Sequence, residues 1–568
     1  MADSFQPTPG QGVALDGEDD WEGEEEGRGH FTLGEPAADA YQALQVNRES
    51  VNEMARRMAE LTIPSVFPPI GYRTGDDLPG NNHSVGAQCV NTLASKLLFM
   101  AFPPGQPIAK LEPVVANIQE QIDQDPELYA KVLLGLSQLE MMHRSRLQAT
   151  QLQPAYVTYL KLLLVAGNAL WKHVKLQTPT AHRSDCYVVS RDRTGHPLVT
   201  IHHEKVRVTT LPPDVQKAVY EDHPELEKVK PEWSREAEIY SVCMLRVDGD
   251  EDDEDGKSWL YWQETAKGHL IEGTDVETDY DDCPMWPGWL IPVFGDNWGR
   301  SYCEEYRGDL YTLEANASAL NDGAALAAWA LTFVKPGART SVRQVQKARN
   351  LDILAGSAED VTVFRSEKTA DLNFVANTFN AAARRVGAAF LLDSASRREG
   401  ERVTAEEVAR VGRELDQGMG GLYTQIGHGD QRRIIMRAFR LHEEENRKIP
   451  ALPKGVVDVN VVTGVDAMGQ SSEQQNLVNF GKILAEIVGP EAAASILSAG
   501  NFATRLAAAF SVKPDGLVKT DEQQAQEQAK AQQQAMAQDL LGKAAGPVAG
   551  ALAQRLPGGP AQSQQQET

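Results

Sequence analysis

Tyr306-Arg-Gly-Asp-Leu310-Tyr-Thr-Leu313-Glu-Ala-Asn-Ala317-Ser-Ala-Leu320-Asn-Asp-Gly-Ala324-Ala-Leu-Ala327 repeats an apolar residue every three or four positions. That spacing predicts one helix with a single apolar stripe, and such a stripe must pack on something. From Ala324 to Leu331 the residues are mostly small, so a neighbouring helix can approach closely. A second stripe, Val375, Phe379, Ala382, Val386 and Phe390, predicts a companion helix, with a small insertion after Lys335-Pro-Gly-Ala-Arg339 between them. Downstream, Arg397-Arg-Glu-Gly-Glu-Arg402-Val-Thr404-Ala-Glu-Glu407-Val opens a third helix. The Thr404 hydroxyl can accept from the backbone of Glu407 while Glu407 reaches back, a capping box. Val408, Val411, Leu415 and Leu422 continue the spacing, and Gly418, Gly420 and Gly421 interrupt it. Each glycine costs up to ~1 kcal/mol against alanine, which predicts a kink or close packing there.

With 568 residues, 42% of them hydrophobic and 24% charged, the chain can fill at least two cores and about three or four domains. The cysteines, Cys89, Cys186, Cys243, Cys283 and Cys303, are scattered and lack C-x-x-C spacing, so neither a disulfide framework nor a zinc ribbon is expected. A reducing compartment fits them. The opening Met-Ala-Asp-Ser-Phe-Gln-Pro has no basic and apolar leader, and apolar runs such as Leu160 to Val165 are too short to span a bilayer, so neither export nor membrane insertion is expected. A net charge of −25 argues against a free-standing duplex binder, because such affinity comes from cations that replace counterions on phosphates.

Along the chain, Asp16 to Glu26 is nearly all acidic or glycine, which predicts a disordered tail. Helical patterns follow over Ala40 to Leu61 and Val85 to Phe99, and a third helical zone over Pro126 to Trp171. Between Tyr187 and Pro292 the pattern turns to short alternating runs, with a hairpin at Arg193-Thr-Gly195. Ala237 to Val247 and Ser258 to Glu264 predict a strand pair joined by the acidic loop Asp248 to Lys257. Val456 to Val462 reads as a short strand, Gln470 to Phe510 as a small helical cap, and Glu522 to Gln538 as a Gln/Ala-rich segment with little to bury.

Signs of catalysis are weak. Gly256-Lys-Ser258 ends like a phosphate-binding loop, but the earlier glycine such a loop needs is replaced by Glu251, among carboxylates that repel phosphate. His202 and His203 are neighbours on a predicted strand and point to opposite faces, so with His196 and Glu204 they read as ordinary strand residues rather than a metal site. The carboxylates from Asp248 to Asp255 lack the EF-hand pattern with its closing glutamate and read as a solvated run. No nucleophile elbow or catalytic cysteine signature is present. Catalytic residues, metal ligands and cofactors are accordingly none.

Four stretches carry a resemblance: Gly299-Arg-Ser-Tyr-Cys-Glu-Glu-Tyr306, Leu392-Asp-Ser-Ala395, Gly400-Glu-Arg-Val-Thr-Ala-Glu-Glu-Val408 and Leu415-Asp-Gln-Gly-Met-Gly-Gly-Leu-Tyr423, with Ser84 to Leu97 and Phe102-Pro-Pro upstream. In combination and order, over about residues 40 to 520, the chain resembles the head-to-tail connector, or portal, proteins of short-tailed phages of the autographivirus type. The resemblance implies an α+β, mostly helical subunit: an acidic tail (1–35), an α+β wing (36–300), a stem helix (301–334), a clip (335–370), a second stem helix (371–392), a channel loop (393–403), a long helix returning to the wing (404–465), a helical crown (466–515) and a Gln/Ala-rich tail (516–568) that can assemble with its neighbours as a barrel.

It further implies a homo-oligomer, a dodecamer, at one vertex of the virion capsid, assembled in the bacterial host cytoplasm. Double-stranded DNA passes through its channel. Its implied partners are a terminase motor, a tail adaptor, the major capsid and scaffolding proteins, and internal core proteins. Arg397, Arg398 and Arg402 would line the channel loop, and Lys335, Arg339, Arg343, Lys347 and Arg349 would form a basic clip face toward DNA or the tail adaptor. A net negative wall suits a conduit, which must not hold the polymer it passes. Two other readings are a metal-dependent nuclease acting through the acidic loop and a nonviral oligomeric helical scaffold. Magnesium-dependent cleavage would mark the first, and oligomers that are not closed rings the second.

Overall fold

A computed structural model of the chain describes residues 33–46, 48–102, 108–113, 126–247, 256–328, 331–349, 352–364, 369–392, 426–446 and 457–461, a helical stretch at 478–484, and a few single positions such as Leu415, Gly418 and Met419. Nearly all of the acidic tail, the Asp248 to Asp255 loop, the loop 393–403 with Arg397, Arg398 and Arg402, the Thr404 capping box and the Gln/Ala-rich tail lie outside the described residues.

The fold is mixed α+β. Helices α1 (Ala37–Leu44), α2 (Arg48–Leu61) and α3 (Val85–Ala101) come first, followed by strand β1 (Ala109–Pro113) and helices α4 (Pro126–Gln148) and α5 (Leu152–Ala166). Helix α5 buries Tyr156, Tyr159, Leu160, Leu163 and Leu164 completely and shows only a narrow polar edge, with Gln153 and Thr158 exposed, so it forms the axis of the main core. Helices α2 and α3 pack against it, and the same core takes in Met58, Leu93, Trp171 and Phe439.

Strands then alternate with turns: β2 (Asn168–Lys172), β3 (Thr180–Arg183), β4 (Tyr187–Arg191) and β5 (Pro197–Arg207), helix α6 (Pro213–Asp222), then β6 (Glu236–Val247), β7 (Lys257–Thr265), β8 (Val276–Asp279) and β9 (Met285–Trp289). Strands β4 to β8 make an antiparallel meander in chain order, and β2 sits between β3 and β9 in a second sheet. Val188, Ile201, Val242 and Trp262 turn one face of the meander toward α1, whose Ala37, Ala40 and Tyr41 cover it. The predicted hairpin at Arg193 to Gly195 is present, with Gly195 at φ 90° against the Trp289 ring, and so is the β6–β7 pair.

The helical zone expected from Pro126 to Trp171 is two helices and a strand, because Gly167, at φ 77°, ends α5 and the alternating Asn168–Lys172 pairs on both sides. A side chain at Gly167 would lie 2.5 Å from the Arg300 carbonyl carbon, so glycine there lets the start of the next helical segment cross the core. Asn168 clamps that crossing, donating to Gly299 O and accepting from Gly299 N, both at 2.8 Å.

Beyond it run α7 (Tyr302–Glu305), α8 (Arg307–Ala328), β10 (Leu331–Val334), α9 (Val342–Lys347), β11 (Val361–Phe364), α10 (Thr369–Ala389), α11 (Arg432–Glu445) and β12 (Val457–Val461). The first long helix does not reach residue 334. It ends at Ala328, and Leu331-Thr-Phe-Val334, an apolar run before Pro336, pairs with β11 instead. In the stretch expected as a long helix from residue 404 and a return to the wing, Leu415, Met419 and Leu422 are helical, and a π-helical turn at Ile426–Gln431 runs directly into α11, which ends at Glu445. The predicted strand near Val456 is present as β12 and pairs with β1, a strand that the sequence reading lacked.

Candidate functional site

Helices α8 and α10 form an antiparallel pair that springs from the core at one end and carries a small hairpin at the other. At its base, the Ser301 side chain accepts from Glu304 N at 3.1 Å and starts the helical segment. Tyr302 donates to Ala389 O at 3.1 Å, and the rings of Tyr302, Tyr306 and Phe390 meet edge-on with centroids 5.0 to 5.6 Å apart. Leu310, Leu313 and Ala317 on α8, and Ala382, Val386 and Phe390 on α10, are buried, as the stripes predicted. Asp309 pairs with Arg385 near the base and lifts that guanidinium above its usual range. Further out, Gly323 makes room for Leu372, whose Cδ2 lies 2.3 Å from where a side chain would begin.

The outward faces of the two helices carry exposed apolar residues along their length. Tyr311, Leu326 and Phe374 are 44%, 51% and 74% exposed, and Ala315, Ala319, Ala324, Ala381 and Ala388 are exposed as well.

The far end is a compact tip. Strands β10 and β11 pair with Leu331 opposite Phe364, and Lys335 N donates to Asp360 O at 3.0 Å. Ser341 and Gln344 form a capping box that starts α9. Thr340 is the buried pin of the tip: its hydroxyl accepts from Ser357 N and donates to Asp360 Oδ2, both at 3.2 Å, while Gly356 leaves it space. All five predicted cations, Lys335, Arg339, Arg343, Lys347 and Arg349, are exposed. None makes an ion pair among the described residues, and Arg343 and Lys347 lie one turn apart on the same face of α9. Around them Ile353 is fully exposed, with Phe333, Val342 and Leu354 more than 40% exposed. The tip thus offers unpaired positive charge beside apolar side chains.

Where the chain leaves α10, Leu391 takes φ 57°, the left-handed region, and Leu392 N bonds back to Gly387 O at 2.7 Å. The buried Lys96 donates to Leu391 O at 2.9 Å, and Gly418 packs against the Leu391 side chain. The exit toward residues 393–403 is therefore fixed by contacts from α3 and from the following helical stretch.

Sequence reading missed the buried polar network that locks α11 onto the sheets. Asp430, fully buried on the π-helical turn, accepts from Tyr159 and from Trp286 Nε1, each at 2.8 Å, and burial pushes its carboxyl above the usual range. Gly288 is essential there, since a side chain on it would overlap the Tyr159 hydroxyl at 1.6 Å. On the next turns Arg437 pairs with Asp282 at 2.9 Å, and His442 meets His143 Nδ1 to Nδ1 at 3.0 Å. The only sequence signal was a lone acid in Gly427-His-Gly-Asp430-Gln.

Of the histidines set aside earlier, His202 is buried, while His196 and His203 are half-buried among aromatic rings. His196 stacks beside Trp259 and Tyr280, buried His202 lies 3.4 Å from Lys172 Nζ, and His203 stacks on Tyr240 from the other face of β5. Glu204 pairs with Lys172 at 3.2 Å.

The chain matches the family described as "Bacteriophage head to tail connecting protein" over residues 35–518. It belongs to the bacteriophage head to tail connecting protein family. The portal protein of Enterobacteria phage T3 is 31% identical to it over 92% of this chain and 96% of that one. The portal protein of Escherichia phage T7 is 30% identical over 86% of this chain and 89% of that one. A chain from the neck of an empty GTA particle computed with C6 symmetry shares 12% identity, with a TM-score of 0.35, over 75% of this chain and 90% of that one. Near full-length membership makes this connecting protein a phage portal subunit and a structural component of the virion, in place of the nuclease and nonviral scaffold readings.

Proposed function

We propose that twelve copies of this portal subunit close into a ring at one capsid vertex, with double-stranded DNA passing through the centre during packaging and ejection. In this reading the sheets and core up to residue 300 form the wing, α8 and α10 the stem, and residues 335–370 the clip. Residues 393–403 form a loop that narrows the channel, 466–515 a crown, and the C-terminal tail a barrel. Arg397, Arg398 and Arg402 touch passing phosphates, with Glu399 and Glu401 keeping the loop nearly neutral so that it does not hold the DNA. The subunit catalyses nothing itself. An external terminase motor drives the DNA, major capsid, scaffolding and internal core proteins surround the ring, and a tail adaptor docks below. Assembly takes place in the host cytoplasm.

The observation that carries this reading is the tip. Five exposed cations beside Phe333, Val342, Ile353 and Leu354 make a surface for an acidic or anionic partner at the end of a rigid helix pair. Complementation of a phage that lacks its portal gene tests it. Reversing Arg339, Arg343 and Lys347 to glutamate should leave rings and heads intact while tailed particles or packaged DNA fall at least tenfold. Normal yields of infectious particles from that variant would contradict the assignment of the tip.

A further inference from the structure

Two of the buried thiols meet at the seam between the sheets. Cys243 lies within β6, opposite Thr200 on β5 and Tyr261 on β7, and Cys283 lies in the short connection between β8 and β9. Both are free and buried, and their Sγ atoms are 3.9 Å apart across 40 positions of chain. The Cys283 thiol donates to Met285 O at 3.2 Å, which leaves its sulfur to accept from Cys243. The backbone around Cys283 is held firmly. Thr278 Oγ1 donates to Asp282 O at 2.6 Å, Pro284 O accepts from His173 N at 2.9 Å, and Asp282 pairs with Arg437 on α11. The fold therefore keeps the two sulfurs in contact, and a disulfide, with its bond of about 2.05 Å, needs them to close by only about 2 Å more.

We infer that Cys243 and Cys283 are a latent disulfide, reduced while the chain is inside a cell and closed by a small peroxide once the virion is outside. Thiols persist in reducing cytosol and disulfides outside it, and a virion component passes from one to the other. The Cys283 sulfur attacks one peroxide oxygen, the O–O bond breaks, and a sulfenic acid and one water result. The Cys243 sulfur then attacks the Cys283 sulfur, the S–OH bond breaks, and a second water leaves. Each water carries away one thiol proton, and the sulfur pair gives two electrons to the peroxide. Attack begins at Cys283 because a connection opens at less cost than a strand paired on both sides. Burial holds the Cys243 thiol well above its usual range, so the pair reacts slowly and outlasts brief exposure to oxidant. Once formed, the bond ties β6 to the segment that leads into β9 and, through Asp282 and Arg437, to α11. It also closes a long loop in the unfolded chain, which stabilises the fold.

Mass spectrometry of the full-length protein tests the pairing. Samples kept reduced or exposed to hydrogen peroxide are denatured in N-ethylmaleimide and digested without reductant. After peroxide, the Cys243 and Cys283 peptides should be joined and two hydrogens lighter than the separate pair. In the reduced sample both should carry the maleimide. The treated protein should also unfold at higher urea than the reduced protein, and dithiothreitol should erase that difference. Cys283→Ala should show neither the joined peptide nor the shift. Recovery of the two residues as free thiols, as sulfinic or sulfonic acids, or joined to other cysteines would overturn the proposal. A joined pair without the shift in unfolding would mark a bond made after the fold was lost and would overturn it as well. Either result leaves the portal assignment standing, because the pairing does not depend on the ring.

Discussion

Lys96 donates its ammonium hydrogen to the carbonyl of Leu391 at 2.9 Å, across the boundary between the core and the exit of the helix pair. Leu391 is the sole non-glycine residue with positive φ among the described residues, a conformation that costs leucine roughly 1 kcal/mol or more and that its surroundings must impose. The buried ammonium of Lys96 thus helps to hold the turn that leads to residues 393–403.

Lys96→Met keeps the volume and removes the donor. It should cost about 1 to 3 kcal/mol, the usual range for losing a hydrogen bond from a charged donor, and should raise amide exchange at Leu391 and Leu392 more than in the β4–β8 meander. Hydrogen exchange by mass spectrometry measures both regions in one experiment. Uniform exchange across the two would argue against a local role.

Gly288→Ala should be among the most damaging single changes in the sheets and core. The new Cβ has no space beside the Tyr159 hydroxyl and the Asp430 carboxylate, so the network must break or β9 must move. A loss on the order of 3 kcal/mol or more is expected, against a smaller loss for Tyr159→Phe, which removes one hydrogen bond but no space. Chemical denaturation of both variants gives the ranking.

Acid should weaken the subunit through its buried histidines. Burial pushes His143 down to about 3, and His173, His182 and His196 to about 4. In the unfolded chain these rings take up a proton near pH 6.5, while in the fold they stay neutral to those lower values. Between the two, the unfolded state binds more protons, so stability falls as pH drops from about 6.5 toward 4. His143→Phe, which keeps a ring against Phe439, should flatten part of that slope, as read from unfolding midpoints at pH 7 and pH 4.5.

Much of this architecture is legible in the sequence because the apolar stripes of α8 and α10 and the alternation of β5 to β7 follow the periods of their elements. Gly418, singled out as a point of close packing, does lie against Leu391. The early end of α8 was hidden because Leu331-Thr-Phe-Val334 is also apolar, and only its pairing with residues 361–364 decides for strand. Strand β1 escaped notice because its partner, β12, is far away in the chain. The cations of the tip came from the resemblance, which implies a clip over residues 335–370. Lys96, Asp430 and the His143–His442 pair could not be named from sequence, because their roles depend on which distant backbone or ring each meets.

Negative-stain electron microscopy of the purified full-length chain, with its mass from light scattering, tests the central claim most directly. Closed rings with a central hole and a mass near twelve times 62.2 kDa are predicted. A monodisperse species of one or two subunits over a wide concentration range would contradict it.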